Sequence, residues 1–180
     1  MSDLNLPLYQ GATVGDLVVS AIARGGDRTA FISGDEAWTY RELGAKVSQV
    51  VQVLAARGLQ RGDAVATLSA NRPEAFLITA AAYVMGLRLT WMNPTSSEDD
   101  HAYILDDSGV TTLFFDPKTF TDRTRVLRQR VPGVQRAMSF GDSGGVGDDL
   151  LAAAAGHTPG PLVPQAVPEL VAIPDVPDHF

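Results

Sequence analysis

A serine flanked by glycines is the first candidate for catalytic chemistry in this chain. Residues 141–145 read GDSGG, with Ser143 at the centre. A serine hydroxyl is a weak nucleophile at neutral pH, so it needs a histidine as general base and a carboxylate that orients the base. The histidines, His101, His157 and His179, lie in sequence contexts unlike those of serine proteases. We therefore interpret GDSGG as a polar loop.

Phosphate and metal sites are the next candidates. The glycines of residues 141–147 have neither the Gly-Lys-Ser/Thr ending of a phosphate loop nor the G-x-G-x-x-G spacing of a dinucleotide site. The carboxylates at residues 98–100, with Asp106 and Asp107 nearby, could bind a divalent cation. The first three fall in the first turn of a predicted helix, however, where the helix dipole favours carboxylates without any metal. We therefore predict no metal ligands.

The net charge argues against a nucleic-acid partner. The 180 residues carry a formal charge of −7, and a protein that neutralises phosphates needs a basic surface. One local exception groups Arg123, Arg125, Arg128 and Arg130, which we interpret as a solvated helix face. The hydrophobic fraction of 45% is typical of a globular protein, and the length is sufficient for one core.

The sequence has no feature typical of a membrane-spanning protein or of a protein from an oxidising compartment. It has no cysteine, which excludes disulfides and thiolate chemistry. Its first ten residues lack the basic and apolar regions of a signal peptide. The longest apolar stretch, residues 75–87, is shorter than the roughly 20 residues of a transmembrane helix. We therefore expect a cytoplasmic protein without a transmembrane segment, with a homodimer as one open assembly state.

Helical and strand-like patterns alternate along the chain and must position the candidate residues. Capping boxes, in which an acid follows a Ser or Thr by three residues, indicate helix starts at Thr13, Thr39 and Ser97. A further helix begins near Pro73, because proline is favoured in the first helical turn. The predicted helices cover about residues 14–23, 39–58, 73–86, 97–107, 117–131 and 149–155. The predicted strands cover residues 30–33, 37–40, 64–68, 87–92, 110–115 and 134–138.

This alternation predicts a three-layer α/β/α fold with a mostly parallel, doubly wound sheet. Ligands of such folds bind beyond the carboxyl ends of the strands, which makes Trp91 a candidate, although we interpret it as a core residue. We assign residues 1–155 to this α/β unit. Residues 156–180 hold six of the eleven prolines, which predicts an extended segment that leads to an absent downstream domain.

Four segments, taken in order, carry a resemblance to one enzyme family. They are TYREL at 39–43, GLQRGDAVATLSANRPE at 58–74, GLRLTWMNP at 86–94 and YILDDSG at 103–109. At this spacing they resemble the amino-terminal portion of the AMP-forming, acyl-activating enzymes. That family includes acyl-CoA synthetases, luciferases and the adenylation domains of peptide synthetases.

The resemblance implies a two-step reaction. A carboxylic acid, here a fatty or related acid, attacks the α-phosphate of ATP to give an acyl-adenylate and pyrophosphate, and the thiol of coenzyme A then displaces AMP. The complete enzyme would use ATP, Mg²⁺ and coenzyme A. The family's phosphate loop, its Tyr-x-x-Thr-Glu segment, its ribose-binding aspartate and its carboxy-terminal lysine are not found in this sequence. We therefore expect the amino-terminal portion of such an enzyme, inactive alone, with no catalytic residue and no cofactor of its own.

The resemblance also implies a coenzyme A surface. In the acetyl-CoA synthetase branch of the family, the loop at the Asn93-Pro94 position and arginines after the next strand approach coenzyme A. This comparison makes Asn93, Pro94, Arg123 and Arg125 the candidate residues, with turn residues and a solvated helix as the alternative interpretation. For the whole chain, the alternative is a free-standing doubly wound binding module without catalysis.

Overall fold

The structure is a computed structural model that describes residues 13–165. Helices and strands alternate through this range, as the sequence predicts. The helices are α1 (Val14–Gly25), α2 (Tyr40–Ala56), α3 (Pro73–Met85), α4 (Glu98–Asp107), α5 (Pro117–Arg130) and α6 (Leu150–Ala155). The strands are β1 (Thr29–Ser33), β2 (Glu36–Thr39), β3 (Ala64–Leu68), β4 (Arg88–Met92), β5 (Thr112–Phe115), β6 (Arg136–Ser139) and β7 (Asp148–Asp149).

The main sheet has the strand order β4-β3-β5-β6-β7, and all of its pairings are parallel. Strands β1 and β2 form a separate antiparallel hairpin. The chain leaves β3 for β4 at one edge and then crosses to β5 on the other side of β3. A topological switch point therefore lies between β3 and β5, where ligands bind in doubly wound folds. The predicted fold class is confirmed.

Two apolar layers cover the two faces of the sheet. Helices α2, α3 and α6 pack on one face, and α4 and α5 pack on the other. Successive strand residues point to opposite faces, so Phe114 lies in the first layer, whereas Leu113 and Phe115 lie in the second. Every residue of β3 and of β5 is buried, as expected for parallel strands covered from both sides. The arrangement is the predicted α/β/α sandwich.

The predicted capping boxes are all present. Thr13, Thr39 and Ser97 each accept a hydrogen bond from the backbone N–H three residues later, and the carboxylate at that position accepts one from the backbone N–H of the cap residue. These hydrogen bonds lower the pKa of Asp16, Glu42 and Asp100, mainly through Thr13, Thr39 and Ser97 respectively. The helix starts therefore have a local cause that the sequence shows directly.

The segment from Ser139 to Asp149 contains a short strand that the sequence analysis does not predict. Its last two residues form β7, which pairs with β6 through Met138 and Ser139. Gly147 permits this approach, because a Cβ there would lie 2.8 Å from the carbonyl oxygen of Ala137. Strand pairing here depends on backbone groups alone, and two residues are too few to show a hydrophobic period.

The start of the proline-rich segment is attached to the α/β unit. Side chains of α2 hold its backbone: Gln49 donates to the His157 carbonyl at 2.7 Å, and Ser48 accepts from the Gly160 N–H at 2.8 Å. The Gln165 N–H reaches the Val84 carbonyl at the end of α3. The segment from Gly156 to Gln165 is thus attached to this face, and the remainder of the predicted segment lies outside the described residues. The division at residue 155 stays a prediction.

No helix within residues 13–165 combines the length and the apolar character needed to traverse a lipid bilayer.

The capping carboxylates predict a stability that falls as the pH becomes acidic. The pKa of Asp100 is lowered in the folded state, so its contribution is present above its unfolded-state pKa and is lost as the pH falls through the folded-state pKa. We expect Asp100→Asn to reduce the drop in urea midpoint between pH 7 and pH 3. Asp106→Asn, in the same helix, is the matched control. A drop of equal size in D100N and wild type would contradict the prediction.

Candidate functional site

The carboxyl ends of β3, β4 and β5 form the candidate site. The segments that follow these strands begin at Ser69, Asn93 and Asp116, and all lie at the same edge of the sheet because the strands are parallel. This edge contains the switch point between β3 and β5. It is therefore the place where the fold itself predicts ligand binding.

An apolar cavity of about 360 Å³ opens at this edge. Its aromatic walls are Phe31, Phe76 and Trp91, and the rings of Phe31 and Phe76 are 4.9 Å apart. Trp91 is 45% exposed, so its interpretation as a core residue is wrong. It belongs to β4, an edge strand of the described sheet, and the run LRLTWM does not distinguish an edge position from a central one.

A charged cluster closes the switch point. Arg72, four residues beyond β3, donates from Nη1 to Asp116 Oδ1 at 2.6 Å. Its Nε and Nη2 atoms donate to Glu74 at 3.2 and 3.1 Å. The side chain of Asp116 is only 4% exposed and that of Arg72 is 21% exposed. Burial alone would lower the pKa of Arg72, but the hydrogen bonds and charges of Glu74 and Asp116 outweigh burial and raise it.

Sequence reasoning missed this pair. The only indication of the pair in the sequence is that each residue follows a predicted buried strand, Arg72 in the segment NRPE and Asp116 in the segment FFDP. Asp116 has a second role at the start of α5, where it accepts from the Lys118 N–H at 3.0 Å as the helix cap. The pair therefore joins the end of β3 to the start of α5.

A second cluster brings together two of the predicted coenzyme A residues. His101 Nε2 lies 2.8 Å from the Asn93 carbonyl oxygen, and His101 Nδ1 lies 3.0 Å from Arg123 Nη1. Pro94 follows in the same exposed loop. Arg123 also faces the Ser96 carbonyl at 3.4 Å. The sequence gives no partner for His101, and the structure shows that it links the loop after β4 to α5.

Arg125 lies elsewhere. It pairs with Asp122 and lines a separate cavity of about 390 Å³ with Arg128, Gly144 and Gly145. Two residues along an α-helix turn through roughly 200°, so Arg123 and Arg125 cannot face the same way. The structure therefore places Arg125 away from the cluster of Asn93 and Arg123, and its role in coenzyme A binding stays a prediction from the resemblance.

The basic residues of α5 are not a simple solvated face. Arg130 donates to Glu98 at 2.9 Å and to Asp99 at 2.7 Å, both in the first turn of α4. Arg123 is directed at α4 as well, 3.6 Å from Glu98. The interpretation as solvated is wrong for Arg123, which is half-buried because α5 packs on α4. Arg130 is exposed, as the interpretation requires, and forms its ion pairs at the surface. The same pairing occupies two of the carboxylates considered for a metal.

The described residues, 13–165, contain no group of three or more histidine, aspartate or glutamate side chains that could hold a metal ion. Ser143 is 6% exposed, and its hydroxyl both donates to the Gly147 carbonyl and accepts from the Gly147 N–H, at 3.0 Å each. The hydroxyl therefore closes its own loop, and neither of the histidines that the structure describes, His101 and His157, is among its hydrogen-bond partners. The interpretation of GDSGG as a loop is confirmed.

The chain is similar to a known enzyme family and to a characterised ligase. The AMP-binding enzyme family matches residues 18–169. The chain is 36% identical over 159 residues to the medium/long-chain-fatty-acid–CoA ligase FadD8 of Mycobacterium tuberculosis. The aligned residues cover 86% of this chain and 28% of that protein.

Solved structures share the fold. The anthranilate CoA ligase AuaEII, in complex with anthranoyl-AMP, superposes with a TM-score of 0.77 at 19% identity, over 93% of this chain and 31% of that one. The amide bond synthetase McbA of Marinactinospora thermotolerans gives a TM-score of 0.73 at 25% identity, over 86% and 30%. The present chain thus spans less than a third of the length of FadD8 and of these two proteins.

The pair of Arg72 and Asp116 predicts a loss of stability when one charge is removed. Asp116→Asn keeps a residue that caps helices well but leaves the Arg72 guanidinium partly buried beside a neutral amide. We expect the free energy of unfolding to fall by about 2–3 kcal/mol, measured by urea denaturation.

Asp27→Asn is the matched control. Asp27 pairs with Arg41, but their side chains are 78% and 70% exposed, so solvent screens the interaction and little change is expected. Equal stabilities of D116N and D27N would show that the pair at the switch point does not hold the two segments together.

Proposed function

Because the chain belongs to the AMP-binding enzyme family, we propose that it is the amino-terminal part of an ATP-dependent acyl-CoA ligase for fatty or related acids. The complete enzyme converts the carboxylic acid and ATP to an acyl-adenylate and pyrophosphate, and then transfers the acyl group to coenzyme A. The family match over residues 18–169 is the observation that carries this proposal. The similarity to FadD8, a medium/long-chain-fatty-acid–CoA ligase, supports the substrate class.

The described residues do not fit a triphosphate with Mg²⁺. In the glycine-rich loop, residues 141–147, the polar groups form hydrogen bonds within the loop. Ser143 bonds to Gly147, and the Gly144 N–H donates to Asp142 at 2.8 Å. No cluster of carboxylates suited to a metal occurs between residues 13 and 165. We therefore propose that ATP and Mg²⁺ are held by other parts of the enzyme, and that the 180-residue chain alone does not form the acyl-adenylate.

The cluster after β4 does fit a phosphate of coenzyme A. Arg123 directs Nη1 at His101 and Ser96, and Nε at Glu98, while its Nη2 forms no hydrogen bond with any residue that the structure describes. A guanidinium edge of this kind is well suited to a phosphate oxygen. We propose that Asn93, Pro94 and Arg123 form the coenzyme A surface of this part of the enzyme. When bound, coenzyme A supplies the thiol that accepts the acyl group.

The proposal predicts that the 180-residue chain releases no pyrophosphate above background when it is given ATP, Mg²⁺, fatty acids and coenzyme A. FadD8 serves as the positive control in the same coupled assay. Robust turnover by the chain would contradict the assignment of adenylate formation to other parts. The intact mass of the natural protein tests the alternative of a free-standing module: we expect a value well above the 19.1 kDa of these residues.

The coenzyme A surface predicts a second result. Addition of coenzyme A to the chain should shift the NMR amide signals of residues 93–97 and of Arg123. We expect Arg123→Ala to weaken this binding about tenfold, since it removes a charge-assisted hydrogen bond. Arg41→Ala, an exposed arginine in α2, is the control, and Arg125→Ala tests the remaining candidate separately. Equal affinities of R123A and R41A would refute the proposed surface.

A further inference from the structure

His101 is a buried polar residue that no step of the proposed reaction uses directly. It is 0% exposed and lies in α4 beside the core residues Ala102 and Leu105. A polar ring in such a place is unfavourable unless its nitrogens form hydrogen bonds. Both nitrogens do, and their partners are two of the residues that we assign to the coenzyme A surface, Asn93 and Arg123.

The partners determine the protonation of the ring. A carbonyl oxygen only accepts, so Nε2, 2.8 Å from the Asn93 carbonyl, must carry a hydrogen. A guanidinium only donates, so Nδ1, 3.0 Å from Arg123 Nη1, must offer its lone pair. The hydrogen-bond network therefore assigns the neutral Nε2–H tautomer to His101.

The same contacts close a ring of hydrogen bonds around the loop after β4. The Asn93 carbonyl also accepts from the Ser96 N–H at 3.1 Å, which shapes the turn between them. The Ser96 carbonyl faces Arg123 Nη1 at 3.4 Å. His101 and Arg123 thus contact the loop at both ends of this turn, and they contact each other.

We infer that His101 is a positioning residue for the proposed coenzyme A surface. Its Nε2–H fixes the loop at Asn93, and its Nδ1 fixes Arg123 through Nη1, so that the Nη2 edge of the guanidinium is presented in one orientation. This inference rests on the proposed function for its ligand, but the positioning itself is a property of these residues alone. A merely space-filling role would be served equally well by an apolar side chain.

NMR of the 180-residue chain tests the assignment of the ring. Long-range ¹H–¹⁵N spectra with labelled histidine distinguish the two neutral tautomers from the imidazolium form. We expect the Nε2–H tautomer for His101 at pH 7, and an Arg123 guanidinium whose rotation is slowed relative to that of exposed arginines. An Nδ1–H or doubly protonated ring would overturn the inference.

Two substitutions separate hydrogen bonding from packing. His101→Leu fills space but offers neither donor nor acceptor, whereas His101→Gln carries one of each on its terminal amide. We expect H101L to weaken coenzyme A binding by about tenfold, as R123A does, and to free the rotation of the Arg123 guanidinium. We expect H101Q to retain an affinity within about threefold of wild type and a slowed guanidinium.

The outcomes distinguish this inference from the proposed function. If R123A weakens binding while folded H101L binds like wild type, the positioning role is overturned and the coenzyme A surface stands. If H101Q loses as much affinity as H101L, the role of His101 is packing, and the inference fails. If wild type shows no binding, the coenzyme A assignment fails, and the guanidinium rotation in H101L and H101Q still decides whether His101 positions Arg123. If H101L does not fold, the coenzyme A affinity of H101Q and the tautomer of His101 in the wild-type chain decide whether His101 positions Arg123.

Discussion

The side-by-side pairing of β3 and β5 is the constraint on which the site depends. Both strands are buried along their whole length, so neither can carry a charged residue within the sheet. Charged residues therefore follow the strands, and the register that pairs Leu68 with Phe115 brings the following segments to one place. The Asp116 N–H still donates to the Leu68 carbonyl, which extends the ladder to the residue that binds Arg72.

The packing of α5 on α4 determines which arginines can meet a ligand. The buried side of α5 includes Phe120, Thr124 and Leu127. Arginines on either flank of this stripe then have different surroundings, since each residue of a helix turns the side chain by about 100°. One flank faces the acidic first turn of α4 and the loop after β4, and the other faces the glycine-rich loop. The arginines between residues 123 and 130, which are close in sequence, therefore belong to two separate surfaces.

Much of the fold could be predicted because its signals are local. A capping box is complete within four residues, and a fully buried strand such as AVATL is recognised by its own composition. Other features depend on residues far apart in the chain. The strand β7 exists because β6 offers free backbone groups, and the exposure of Trp91 follows from the position of β4 at the sheet edge. Nothing near His101 in sequence indicates Arg123, 22 residues away, as its partner.

The clusters around Arg72 and Arg123, both at the carboxyl ends of the strands, differ in how far the arginine is neutralised by its partners. Arg72 uses Nε, Nη1 and Nη2 on two carboxylates, so an added anion would have to displace an existing ion pair. Arg123 is held through Nη1 by a neutral imidazole and a carbonyl group, neither of which neutralises its charge. Glu98, 3.6 Å from Nε, offsets that charge only in part and also binds Arg130. A phosphate that approaches the loop after β4 therefore meets, at Arg123, a guanidinium whose charge is only partly neutralised, next to the turn that His101 holds in place.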